Sequence, residues 1–224
     1  MIQKFQIINK KEIAPDIFEI TYSPEKEISI KPGQFITFLI DKIGWRAYSI
    51  LDIIDWNIVL IIKKWEIEKW GRWGSKYLCE MKIWEELKWV GPAWHFVLQE
   101  NNLNKLFIAT GTGFVPIYNQ ILWNIRNKIE NKIKLIFWVR NEKDLFYLDE
   151  LNKLKKENSN FDFEIFLSSE ETEKYSHWYV TNFLTPENLK DFEEFYICWA
   201  PAMIDSVTDI LEKNNKENIY FEKY

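Results

Sequence analysis

The chain has 224 residues, 47% of them hydrophobic and 28% charged, with a net charge of −5 and a pI near 5.3. These are globular values, with room for one large domain or two small ones. With only Arg46, Arg72, Arg126 and Arg140 for guanidinium and no basic stripe, nucleic acid is excluded as an expected partner.

Met1-Ile2-Gln3-Lys4 leads straight into alternating strand-like residues, so no signal peptide is expected. No apolar run approaches the ~20 residues of a membrane span, so a cytoplasmic protein is expected. The first 98 residues read as short strands. Phe18 to Tyr22 alternates with period two, and Gln34 to Ile40 follows a Pro32-Gly33 turn. Ala47 to Leu51 and Ile58 to Lys63 flank a loop from Asp52 to Asn57. A short helix is predicted from Ser75 to Met81. Strands at this spacing indicate a barrel or sandwich. The polar stretch 99–104 marks a boundary, after which strands and helices alternate. Strands are expected at Lys105–Ala109, Ile133–Val139, Phe161–Leu167, Phe195–Cys198 and Asn218–Glu222, and helices at Val115–Ile129, Lys143–Lys156 and Ala202–Asn214. The prediction is an α+β two-domain chain: a β-barrel over residues 1–98, then a doubly wound α/β domain with a parallel sheet over residues 103–224.

Twelve tryptophans stand against seven glycines, although glycine alone averages ~7% of residues in ordinary proteins. Many sit where a turn or a close backbone approach wants no side chain: Trp45 beside Gly44, Trp70-Gly71-Arg72-Trp73-Gly74, Gly91-Pro92-Ala93-Trp94 and Cys198-Trp199-Ala200-Pro201. Some bacterial genetic codes read UGA as glycine, whereas a common translation table reads it as tryptophan. Glycine at these positions is therefore the expectation, and Asp55-Trp56-Asn57 would then be an Asp-Gly hairpin turn. Taken literally, the same residues describe a tryptophan-rich protein such as an aromatic carbohydrate binder. Trp123, inside a predicted helix, favours neither.

Four segments carry chemistry. In Arg46-Ala47-Tyr48-Ser49, strand alternation puts Arg46 and Tyr48 on one face, a cation and a flat ring suited to a planar group bearing phosphate, or else an exposed strand edge. Residues 70–78 hold Gly71, Gly74 and Ser75 at a helix start, either a phosphate loop or an ordinary cap. Ile108-Ala109-Thr110-Gly111-Thr112-Gly113-Phe114-Val115-Pro116 joins a buried strand to a helix, as a dinucleotide loop does or as a tight turn does; it is not GxGxxG. Tyr196 to Met203 ends a strand with Cys198 at its mouth, where ligands bind in such sheets, though a lone cysteine is more commonly inert. Cys79 and Cys198 form no CxxC pair and cannot by themselves ligate an iron–sulfur cluster or zinc.

In this order the segments resemble the ferredoxin–NADP reductase superfamily over nearly the whole chain. The resemblance implies an antiparallel Greek-key barrel that binds FAD and an α/β domain that binds NAD(P). It gives Arg46 the flavin nucleotide's phosphate, Tyr48 the isoalloxazine face, Ser49 a place near N5, and Gly74 and Ser75 the pyrophosphate. Lys63 is grouped with these cofactor-binding candidates. Gly91-Pro92-Ala93-Trp94-His95-Phe96 resembles the family's GPxGxF element, and Gly111, Thr112, Gly113 and Pro116 its GTGxxP loop. Arg140 with Asp144 and Tyr147, Val180 with Thr181, and Cys198, Pro201 and Met203 fit three further motifs. Trp94, Trp138, Trp178 and Trp199 stand where those motifs have glycine. Phe221-Glu222-Lys223-Tyr224 resembles the terminal ExY, giving Glu222 a place near the nicotinamide and Tyr224 one on the flavin, although a plain edge strand fits as well. Ser49, Cys198 and Glu222 are the catalytic candidates; His95 and His177 are not.

The implied reaction is hydride transfer from NAD(P)H to FAD, then electron transfer to a separate ferredoxin, flavodoxin or small-molecule acceptor. A free flavin, quinone or ferric reductase of the same fold is the alternative. If the tryptophans are real, a cofactor-free interaction protein is the other. Ser168 to Tyr175 lacks the arginine of NADP-specific relatives and carries Glu170, Glu171 and Glu173, which leans the expectation to NADH; Lys174 and Tyr175 keep NADPH open.

Overall fold

A computed structural model describes residues 2–65, 73–94 and 96–223. They divide into two compact units, Met1–Val97 and Leu98–Tyr224. The polar stretch 99–104 falls in the second.

The first unit contains β1 (Gln3–Ala14), β2 (Ile17–Pro24), β3 (Gln34–Ile40), β4 (Gly44–Ser49), β5 (Asp52–Ile54), β6 (Asn57–Lys63), the short helix α1 (Gly74–Glu80) and β7 (Glu86–Trp94). The strands form one antiparallel sheet in the order β4-β3-β7-β1-β2-β6-β5. β7 lies between β1 and β3, and β6 beside β2, so neighbours are out of chain order as the Greek-key expectation requires. β3 buries Gln34, Ile36, Phe38 and Ile40 in strict alternation. Ile36, Phe38 and Ile40 join residues of β1, β2, β6, β7 and α1 in one core. At its centre Phe5 stacks on Trp89 with ring centroids 4.2 Å apart, and Tyr22 and Phe38 close around them. α1 buries Leu78 and Cys79 in this core. Lys10 holds the helix end from outside, its Nζ donating to the carbonyls of Cys79 at 2.7 Å and Met81 at 2.5 Å.

The second unit contains β8 (Lys105–Thr110), α2 (Phe114–Arg126), β9 (Ile133–Val139), α3 (Leu148–Glu157), β10 (Phe161–Leu167), β11 (Ser176–His177), α4 (Pro186–Leu189), β12 (Glu194–Trp199), α5 (Pro201–Lys213) and β13 (Asn218–Lys223). The sheet is parallel throughout, in the order β11-β10-β9-β8-β12-β13. From β8 the chain winds one way through β9 and β10 and then returns to β12, so the winding reverses between β8 and β12. Among the described residues no helix is long and apolar enough to cross a membrane.

Several boundaries differ from the sequence expectations. The loop Asp52–Asn57 is a hairpin: β5 and β6 pair through Ile54 and Asn57, leaving only Asp55 and Trp56 in the turn. The strand expected at Ala47–Leu51 ends at Ser49, because Ile50 N–H bonds Gln34 O whereas Leu51 N–H bonds Val59 O, carrying the chain from β3 to β6. The helix expected over Lys143–Lys156 is divided. Asn141 and Asp144 cap a 3-10 turn at Glu142–Asp144, and Tyr147, at φ 61°, breaks the path before α3. α2 stops at Arg126 rather than Ile129, since Lys128 takes φ 53°. β11, α4 and the 3-10 turn Val180–Phe183 had no strong sequence pattern; each is four residues or shorter.

The most costly charges in the second unit are spent at the start of the sheet. Lys105 and Glu194, the first residues of β8 and β12, face each other in register and are 0% and 2% exposed as side chains, with Nζ and Oε2 3.2 Å apart. Burial lowers the Lys105 pKa, and Glu194 pulls it back up. The remaining valences are filled. Lys105 also donates to Asn101 Oδ1 and O and to Leu103 O; Asn101 Nδ2 and Tyr196 Oη donate to Glu194. Replacing Glu194 with Ala strands the ammonium, and a loss of about 3–5 kcal/mol is expected. The paired exchange Lys105→Met with Glu194→Leu is expected to recover most of it, as urea unfolding of the two variants beside the unmodified chain would show.

Candidate functional site

Two places bring together residues singled out in the sequence, one in each unit. In the first, β4 lies at the sheet edge beside β3, with Arg46 opposite Phe38 and Tyr48 opposite Ile36. Strand alternation sets both side chains on the face toward the start of α1. Gly74 opens that helix, and a Cβ there would come within 2.8 Å of Arg46 Cγ and 3.3 Å of Tyr48 Oη. Any side chain there must displace the stem of Arg46. The Arg46 guanidinium is only partly satisfied: one Nη donates to Trp45 O at 2.7 Å, whereas Nε is buried without a hydrogen-bond partner. An orphaned buried N–H of a cation is costly unless an acceptor arrives. Burial raises the Tyr48 pKa, so its phenol stays neutral, and the ring packs at 6.0 Å from Phe38.

Other candidates of this unit are placed differently. Ser75 is inside the first turn of α1, not its cap; its Oγ accepts from Trp65 N–H at 3.3 Å, and the cap position belongs to Trp73 with no side-chain bond. Lys63 ends β6 with its Nζ 4.9 Å above the Trp65 ring. Ser49 is buried at the end of β4, opposite Phe35. His95 and the remainder of the 70–78 segment before Trp73 lie outside the described residues, as does Tyr224.

In the second unit the carboxyl ends of β8 and β12 meet where the winding reverses, the place where such sheets bind ligands. β8 runs into a 3-10 turn, Gly111–Gly113, with Gly111 at φ 52°, and this turn delivers the chain into the thirteen-residue α2. Gly111, Thr112 and Gly113 therefore lie at the positive end of a long helix, an arrangement that receives phosphate. Pro116 is buried in its first turn. Across the sheet, Cys198 is level with Ala109 on β8 and Glu222 on β13. The cysteine is fully buried, and burial, then the Glu222 carboxylate, pushes its pKa well up, so the group is a thiol. Met203 packs into the core beneath α5 rather than outward. Arg140 is exposed just past β9, and its carbonyl accepts from Ser169 N–H at 2.9 Å. Nearby, Glu170 accepts from Glu142 N–H at 2.8 Å, and Lys174 is paired with Glu142 at 3.5 Å. His177 Nδ1 is 3.0 Å from Glu170 O.

Sequence reasoning missed the role of Trp65, whose backbone engages Ser75; no sequence pattern marks such a bond. Among the described residues no group of three or more metal-ligating side chains occurs. At Gly74, valine adds branched bulk against Arg46 and Tyr48. Gly74→Val is expected to cost about 1–3 kcal/mol by overpacking, read as a lowered urea midpoint, with Gly74→Ala milder because helix propensity offsets part of the crowding.

Residues 107–209 match the family described as oxidoreductase NAD-binding domain. Over 164 residues the chain is 30% identical to a Na(+)-translocating NADH-quinone reductase subunit of Marinomonas sp. (strain MWYL1), covering 67% of this chain and 40% of that protein. It is 25% identical over 204 residues to the toluate 1,2-dioxygenase electron transfer component of Pseudomonas putida, covering 88% of this chain and 60% of that one. In structure it is similar to the flavohem-like FAD/NAD binding domain of nitric oxide dioxygenase from Vibrio cholerae, with a TM-score of 0.87, 16% identity, and 99% and 98% of the two chains covered. It is also similar to ferredoxin-NADP+ reductase from Plasmodium falciparum, with a TM-score of 0.79, 24% identity, and 99% and 95% covered. An antiparallel sheet of seven strands followed by a parallel sheet of six, with the second carrying an oxidoreductase NAD-binding domain match, is the two-domain fold that the chain shares with these reductases.

Proposed function

We propose that the chain is an FAD-dependent oxidoreductase: it takes hydride from NAD(P)H and passes electrons to a separate acceptor. The observation that carries this reading is the cluster of Arg46, Tyr48 and Gly74, with a buried guanidinium N–H awaiting an acceptor and no room for a side chain beside it. A group with both a phosphate and a flat ring system fits those residues. The first unit is assigned to FAD and the second to the pyridine nucleotide.

Bound FAD would supply two-electron acceptance from the nicotinamide and release of electrons singly or in pairs. The protein's own part is placement. Arg46 holds the phosphate by a charge-assisted bond. Tyr48, kept neutral by burial, offers its ring without competing for the proton. Gly111, Thr112 and Gly113, at the start of α2, take the dinucleotide's phosphates. Cys198 remains an uncharged thiol between β8 and β13 and gives the nicotinamide a small polarisable neighbour, with Glu222 level with it. Ser49 and Glu222 are assigned to the flavin N5 and nicotinamide sides respectively. Lys63, Ser75, Arg140 and Tyr224 are assigned supporting contacts to the two cofactors, and Met203, packed in the core, is not.

NADH is favoured over NADPH. Lys174, the cation that would meet a 2′-phosphate, is already paired with Glu142, and Glu170 adds a carboxylate beside it. The acceptor is assigned to the ferredoxin or flavodoxin class. Relatives named as a component of an NADH-quinone reductase and as a dioxygenase electron transfer component support electron delivery to a partner; a free flavin or quinone reductase is the second reading. Titration of the purified chain with FAD is expected to give a bound flavin spectrum that NADH bleaches without oxygen. Arg46→Ala is expected to weaken FAD about 10- to 100-fold, the loss of one charged hydrogen bond. Absence of flavin binding at saturating FAD in the unmodified chain would sink the proposal, and comparing ferredoxin with free flavin as acceptor separates its two forms.

A further inference from the structure

We infer that glycine, and not tryptophan, occupies positions 56, 73, 84 and 178 of the functional protein, placed there by a tRNA that reads UGA as glycine. The backbone itself carries the argument. Trp56, Trp73, Trp84 and Trp178 take φ of 68°, 32°, 75° and 88°. This left-handed region crowds the Cβ of any L-residue; it is tolerated by Asn and Asp, suits Gly, and is an outlier for bulky side chains. Of the ten described non-glycine residues with positive φ, four are tryptophan, although tryptophan is only twelve of 224 residues. Chance placement does not concentrate the bulkiest side chain where the least bulky one belongs.

Local geometry agrees at each position. Asp55 and Trp56 are both left-handed in the two-residue turn between β5 and β6, the hairpin form for which Asp-Gly is the preferred pair. Trp84 is the third residue of a turn closed by Glu85 N–H to Lys82 O at 3.2 Å, where positive φ calls for Gly. Trp73 is the N-cap of α1 and offers no side-chain bond to it. Trp178 follows β11, its N–H held by Leu167 O at 3.1 Å.

The side chains, meanwhile, are little used: of the four, Trp178 has a ring contact, edge-on to His177 at 4.7 Å. All four are 59–66% exposed. An aromatic binding face would gather its rings, yet these occupy four separate turns, three in the first unit and one in the second. Three tryptophans that lie inward, one buried and two half-buried, show the complementary defect. Trp89, Trp123 and Trp138 each bury an indole N–H with no hydrogen-bond partner, whereas a buried indole ordinarily finds one. The same decoding therefore extends to any of the twelve positions whose codon is UGA.

One consequence rests on the flavin reading above: Trp73 directly precedes Gly74, so glycine there leaves two consecutive residues without side chains at the start of α1, beside Arg46 and Tyr48. The decisive experiment does not depend on it. Codons 56, 73, 84 and 178 of the gene are expected to be UGA, and peptides of the protein isolated from its own cells are expected to have glycine masses; UGG codons or tryptophan masses overturn the inference. A recombinant pair adds a physical test, the chain as written against W56G/W73G/W84G/W178G. Relief of four left-handed bulky residues is expected to raise the thermal midpoint by on the order of several degrees, and an equal or lower midpoint overturns the conformational argument. FAD titration of the same pair is expected to show tighter binding by the glycine form. If neither form binds FAD, the flavin reading fails while the codon and mass results still decide the decoding.

Discussion

A single buried ion pair sets the register on which the second unit depends. Lys105 and Glu194 start adjacent parallel strands at the same level. With that end fixed, the rest of β8 and β12 pair residue for residue, and the level of Cys198 with Ala109 at the far end follows. A slip by one residue would turn every side chain of the strand to the opposite face, and would also bring an unpaired charge into the core. The pair further ties down the polar stretch after Gln99, because Asn101 and Leu103 supply the oxygens that complete the ammonium's shell. What reads in the sequence as a boundary is thus part of the support at the amino ends of β8 and β12, opposite the end where Gly111 and Cys198 lie.

The first unit reaches a similar end by a different constraint. There the positioning element is a missing Cβ. Gly74 lets α1 approach β4 until its backbone meets the stem of Arg46 and the hydroxyl of Tyr48. The helix is held from the other side by Lys10, which takes its terminal carbonyls. Charge, ring and glycine are each common; their value comes from being held together, and that depends on β3, whose alternating burial fixes which face of β4 is presented.

Much of this was legible in the sequence because it rests on periodic patterns. The alternation in Gln34–Ile40 and the uninterrupted apolar runs of β8 and β9 gave strands in the right places, and strand–helix alternation gave the parallel sheet. The Arg46–Tyr48 pairing on one face follows from the two-residue repeat of a strand, while their meeting with Gly74, some thirty positions on, followed only from the family resemblance. What was illegible is local and non-periodic. Tyr147 breaks a helix through a backbone angle that its residue type does not announce, and the Asn141–Asp144 cap has the same letters as a solvated loop. Lys105 opens an expected strand, and nothing near it in the sequence announces its partner Glu194, nearly ninety positions later. The tryptophans are the instructive case: composition marked them as misplaced, and backbone angles now say which of them strain the chain.

The two cysteines have a use unrelated to catalysis. Each unit owns one, Cys79 in the first and Cys198 in the second, and both are buried and unpaired. Burial pushes the Cys79 pKa up to about 12 and that of Cys198 well above the ordinary thiol range. Because thiolate is the reactive form, neither should alkylate while its unit stays closed. The chain therefore carries a built-in stopwatch in each half: the labelling rate at each sulfur reports how often that half breathes open, with no probe to be installed.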